Sequence, residues 1–138
     1  MFAICISKFG SAVPKSERLL GETDETDYSP LRVGEGYAVY GLLHFCDRVD
    51  FLVGLPEQVP FWVPSSLFDL ADASLPNGWE FCFTRSRKDY EALADVFKIK
   101  CIVGYPLLVN DYQHYVGLIE KDPKELRRFI EENNLQTH

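Results

Sequence analysis

Positive charge is scarce in the first 80 residues of this chain, where five lysines and arginines stand against twelve aspartates and glutamates. The rest carries nine of each sign, so the whole net charge of −7 falls on the first part. Such a surface repels nucleic acid, whose binding draws mainly on phosphate neutralisation by Lys and Arg. It attracts a basic protein instead. Long apolar runs are also missing: stretches such as Tyr105 to Val109 fall far short of the ~20 residues a membrane helix needs, so no membrane span is expected. The four cysteines, Cys5, Cys46, Cys82 and Cys101, lie far apart with no CxxC pair, which suits reduced core thiols better than a disulfide or a metal site. No glycine-rich phosphate loop and no GxGxxG is present. The opening MFAICISKFG has neither a basic region ahead of its apolar residues nor a small-residue cleavage site, so it reads as a first strand and the chain as cytoplasmic.

What is present points to one folded domain spanning 1–138: 46% hydrophobic and 14% aromatic residues with 25% charged. The pattern predicts an α+β fold, a strongly bent antiparallel sheet or partly open small barrel with short helices and a C-terminal helix. A strand over Phe2 to Phe9 is followed by a short helix from Pro14 to Leu20, stopped by Gly21, and by an exposed acidic loop at Glu22, Asp24, Glu25 and Asp27. LRVGEGYAVYGLLHF and VDFLVGL read as a β-hairpin turning at CDRVD. The aromatic, proline-broken segment PFWVPSSLFDLADASLPNGWEF predicts a brief strand at Phe61 to Val63 and a helical turn with Leu67, Phe68 and Leu70. A turn at Pro76-Asn77-Gly78 then leads into a strand at Trp79 to Thr84. SRKDYEALADVF has Tyr90, Leu93, Ala94 and Phe97 at helical spacing. KIKCIVGYPLLV reads as a strand interrupted by Gly104 and Pro106, and NDYQHYVGLIE supports helix and strand alike. The last helix is better marked, with Asp122 as cap, Pro123 at its first position, Glu125 completing a capping box, and Leu126, Phe129 and Ile130 inward.

The chemistry-bearing residues form no complete constellation. His44 and Cys46 alternate on one strand, yet a nucleophile and base need an orienting group and zinc needs three or four ligands, which only distant His114 and scattered acids offer. Asp69 and Asp72, three apart on a helical turn, could project together, as could Asp47 and Asp50 around the hairpin. Arg85, Arg87 and Lys88 read as a solvated helix start. No catalytic residues, metal ligands or cofactor are assigned, which leaves an enzyme the less favoured class.

The order GYAVYG, then PFWVPSSLFDLADASLPNGWEF, then a strand and a terminal helix resembles small bacterial cytoplasmic proteins that include immunity partners of secreted toxins. The resemblance covers residues 31 to 133 and rests on a Tyr-x-Val-Tyr-Gly strand and an aromatic-proline segment ending in tryptophan, which are structural residues. It implies an immunity protein that neutralises a toxin by stoichiometric, non-catalytic binding. The acidic surface implies a basic protein partner, with Glu22, Asp24, Glu25, Asp27, Asp47 and Asp50 as contacts and Tyr28 as an aromatic anchor. The alternative is a small-molecule binding module or enzyme with an apolar pocket walled by Trp62 and Trp79, with Asp69 or Asp72 as its polar group.

Overall fold

The computed structural model describes residues 1–135 apart from Pro56 and Gln58. Its centre is β2 (Gly36–Phe45), a ten-residue strand that meets β1 (Phe2–Cys5) at its first three residues. Farther along, β2 pairs with β3 (Arg48–Gly54) and with β7 (Ile99–Gly104). β3 continues to β4 (Pro60–Pro64), β1 to β5 (Phe68–Asp72), and β7 to β6 (Glu80–Phe83). All seven strands pair antiparallel in one sheet. The sheet does not close: β4, β5 and β6 each have one partner strand among the described residues. The α+β class is as expected, in its open form.

β2 buries every second residue from Tyr37 to Phe45, yet these residues serve two different cores. Val39 pairs with Val53 but Gly41 pairs with Leu52, leaving Tyr40 as an extra residue. Because successive residues of β3 point to opposite faces, that bulge flips the face of everything after it on β2. Tyr37, Val39 and Val53 therefore enter one core with Ala3, Leu31 and Phe68, whereas Leu43, Phe45 and Leu52 enter a second with Ile102, Tyr115 and Phe129.

Four helices serve the second core: α1 (Glu91–Asp95), α2 (Pro106–Asn110), α3 (Tyr112–Ile119) and α4 (Pro123–Glu132). Pro106 ends β7 and starts α2, since a proline lacks the N–H a strand ladder needs but suits a first helical turn. Asp111 accepts a hydrogen bond from His114 N and so starts α3; this cap settles the 110–120 segment as helix in spite of Gly117. Asp122 caps α4 through Lys124 N, as expected, but Glu125 turns inward instead of completing the capping box.

Several expectations are corrected. β1 stops at Cys5, and the helix expected over 14–20 is a 3-10 turn at Lys15–Glu17. The segment after Ser65–Leu67 is extended, because Phe68 to Asp72 finds backbone partners on β1. The helix expected from Ser86 is reduced to α1 after two 3-10 turns, and Phe97 lies outside it, exposed.

Candidate functional site

Arg48 opens β3 and Asp50 follows two residues later on the same face, where a strand's period of two brings their side chains together. Arg48 Nε donates to Asp50 Oδ1 at 2.7 Å and Nη2 to Oδ2 at 3.2 Å. Nη1 donates to Glu22 Oε2 at 2.5 Å and to the Glu17 carbonyl at 3.0 Å, and the guanidinium stacks on the Phe45 ring. All three side chains are buried. One cation thus lies between two carboxylates, and the cluster holds a net negative charge when all three are ionised.

The two acids respond differently. Burial works against ionising Glu22, but the hydrogen bonds from Arg48 and from Leu20 N outweigh it and hold its carboxyl below the ordinary range. Asp50 is more deeply desolvated; burial, aided by the charge of Glu22, exceeds what Arg48 returns and pushes its carboxyl up.

Asp50 lies on a pocket of about 330 Å³ that is otherwise apolar except for Lys121 at its edge. Leu43, Phe45 and Leu52 on the sheet supply its base, with Ile99 of β7 beside them, while Trp62 of β4 and Tyr115 of α3 supply walls. The rings of Trp62 and Tyr115 lie 6.1 Å apart. Leu20, Phe97 and Ile119 also line the pocket although they are 69%, 60% and 55% exposed, so apolar surface extends from the pocket to solvent. The Tyr115 phenol is pushed up by burial and by the nearby charge of Asp50, so it stays neutral. The indole Nε1 of Trp62 is buried with no hydrogen-bond partner among the described residues.

A second polar group is closed off. Tyr105 and His114 are buried, 2.7 Å apart from Oη to Nε2, and His114 Nδ1 lies 3.0 Å from Glu125 Oε1. A carboxylate only accepts, so Nδ1 carries the proton and Nε2 accepts from the Tyr105 hydroxyl. Arg128 donates to Glu125 at 2.8 Å and to Asp111 at 3.3 Å. Burial keeps His114 below its ordinary pKa despite Glu125. Gly117 makes this possible, since a Cβ there would collide with the Glu125 side chain. The arrangement has the residues of a proton relay, but neither Tyr105 nor His114 lines the pocket, and its visible role is to tie α3 to α4 and to the β7–α2 corner.

The residues singled out from sequence divide accordingly. Glu22 and Asp50, expected as partner contacts, are spent on Arg48. Asp24 pairs with Arg18 at 2.7 Å, and Asp27 accepts from Ser29 N and Oγ. Tyr28 is half-buried against the first core, and burial raises its hydroxyl to about 12, so it is not a free anchor. Glu25 and Asp47 are exposed and make no ion pair among the described residues. Of the alternative pocket, Trp62 lines the cavity, whereas Trp79 packs on the first core. Asp69 and Asp72 sit exposed on β5, opposite Ile4 and Phe2 of β1, and the bulge at Ala71 offsets their odd spacing and places both on one face, as expected, though away from the pocket. Cys46 lies in the turn beyond β2 and not beside His44 on the strand, and all four thiols are free. Among the described residues no three His, Cys, Asp or Glu gather where they could hold a metal, and no helix is long and apolar enough to cross a membrane.

Two participants escaped the sequence reading. Arg48 was hidden in what read as a turn, and Glu125 in what read as a cap. The available signal was a histidine on the apolar side of a helical pattern, His114 one turn before Leu118, and an arginine shortly before the apolar run Phe51-Leu52-Val53. Comparison with family models, with curated protein sequences and with solved structures found no match to this chain.

Proposed function

We propose that this chain acts by stoichiometric binding in the bacterial cytoplasm, neutralising a basic protein as an immunity protein neutralises a toxin, and not by catalysis. The carrying observation is the placement of its charge. The acidic excess lies entirely in the first 80 residues, and Glu25, Asp27, Asp47, Asp69 and Asp72 are exposed there without an ion pair among the described residues. Exposed carboxylates without counter-ions raise the rate of encounter with a basic surface at little cost to the fold. Glu22, Asp24 and Asp50 have internal partners, so the contact set is narrower than composition implies. Neighbouring reading frames expressed alone and together with this chain provide the test. One of them should be toxic alone and tolerated with it; no toxicity from any, together with no protein recovered by pull-down, ends this reading.

The pocket supports a second reading, a small-molecule binding module, because its volume of about 330 Å³ lies at the lower end of the ~300–1,000 Å³ typical of ligand sites. A thermal-shift screen against metabolites should find a stabilising ligand.

A further inference from the structure

We propose that the pocket between β3, β4 and α3 binds an organic cation with an apolar body, an ammonium or guanidinium carried on a ring or short alkyl chain, with the charged end on Asp50. This inference rests on the small-molecule reading and is independent of the acidic-surface reading.

The sign of the ligand follows from counting buried charge. Glu22, Arg48 and Asp50 place two carboxylates on one guanidinium, and a buried charge without its counter-charge is costly. Arg48 has committed Nε, Nη1 and Nη2 to Asp50, Glu22 and the Glu17 carbonyl. An anionic ligand would therefore gain little from Arg48 and would meet Asp50, the only acid among the described residues that line the pocket. A cation completes the cluster as two positive and two negative groups. Burial first, and the charge of Glu22 after it, displaces the Asp50 carboxyl upward, and a bound cation would act in the opposite direction.

The apolar body follows from the rest of the lining. Leu43, Phe45, Leu52 and Ile99 offer no polar side-chain atom, and Trp62 and Tyr115 present rings against which a cation or an aromatic group gains further attraction. The exposed Leu20, Phe97 and Ile119 would be covered by the ligand's body. Three other polar groups belong to the lining residues, one of them the buried indole N–H of Trp62, which carries no charge. The Tyr115 phenol is neutral, and Lys121, exposed at the edge, disfavours a second positive charge on the ligand.

The experiment is isothermal titration of the intact chain with three probes of one shape: 2-phenylethylamine, 2-phenylethanol and phenylacetate. The amine should bind about tenfold or more tightly than the alcohol, as a charge-assisted hydrogen bond exceeds a neutral one, and phenylacetate should not bind. D50N should remove the amine's advantage and leave the alcohol unchanged; it keeps a balanced Glu22–Arg48 pair. I119K, a substitution at an exposed position, should weaken the amine several-fold and carries the same comparison if D50N does not fold. An alcohol that binds as well as the amine overturns the cationic assignment while the pocket survives as a ligand site. An amine indifferent to both variants binds elsewhere and also overturns it. No binding by any probe at millimolar concentration defeats the small-molecule reading itself.

Discussion

The two buried polar groups of this protein use similar parts to opposite ends. In the Tyr105–His114–Glu125 chain each donor meets an acceptor, the histidine is neutral, and the remaining charge passes through Arg128 and Asp111 to side chains about one-third exposed, where water screens it. In the Glu22–Arg48–Asp50 cluster the donors are equally well matched and the count is the same, two carboxylates to one guanidinium, but here the surplus is buried and faces an apolar pocket. Hydrogen-bond satisfaction and charge balance are thus separate conditions. A matched network whose surplus charge reaches water fastens the fold, whereas one whose surplus stays buried retains an affinity for something outside it.

The most severe way to break this contrast is R48M. It leaves Glu22 and Asp50 buried with no cation, and urea denaturation at neutral pH should show a loss of about 3–5 kcal/mol. D50N, which leaves a neutral Glu22–Arg48 pair, should stay within about 1 kcal/mol of the parent; equal losses for the two would refute the charge count. Next in size is G117A, whose methyl group must displace Glu125 from His114, at a cost of about 1–3 kcal/mol by thermal or chemical denaturation.

The closed network also has a pH signature. His114 has a folded pKa below its unfolded value of 6.5, so the unfolded chain takes up the proton first. Its contribution is complete above that value and lost as pH falls toward the folded pKa. Melting curves from pH 7 to 5 should show the parent losing stability, and H114Q, though weaker at pH 7, should lose less over that range. An identical slope in the two proteins would assign the acid sensitivity to other groups. The smallest effect on stability is expected from E25Q combined with D47N, within about 0.5 kcal/mol because both sites are exposed. Association with a basic protein partner should nevertheless slow and become less sensitive to salt.

Much of the sheet was legible because β2 alternates at period two, β3 is a short run of branched and aromatic residues, and Cys46-Asp47 interrupts them. The C-terminal helix was legible from Asp122-Pro123 and from apolar residues three and four apart. Phe68 to Asp72 misled because its apolar and acidic residues fit a helical turn as well as a strand, and only the long-range partner β1 decides between them. The pocket was half visible. Trp62 announced an apolar wall, but Asp50 could not be told from the exposed acids around it, since its burial depends on Arg48, on Glu22 from a distant loop, and on α3 packing above. Charge counted along a chain finds a surplus without finding which members of it are inside.

The bulge at Tyr40 has a bearing on how this protein can change over time. Leu52 and Val53 are joined by a peptide bond, yet they belong to different interiors, Leu52 near the pocket and Val53 beneath the N-terminal segment. Substitutions in the N-terminal core and in the pocket therefore combine nearly additively wherever their side chains share no contacts. A lineage can remodel the pocket for a new ligand while the other half keeps its packing, so one extra residue in a strand divides a small protein into a portion free to vary and a portion that holds it together.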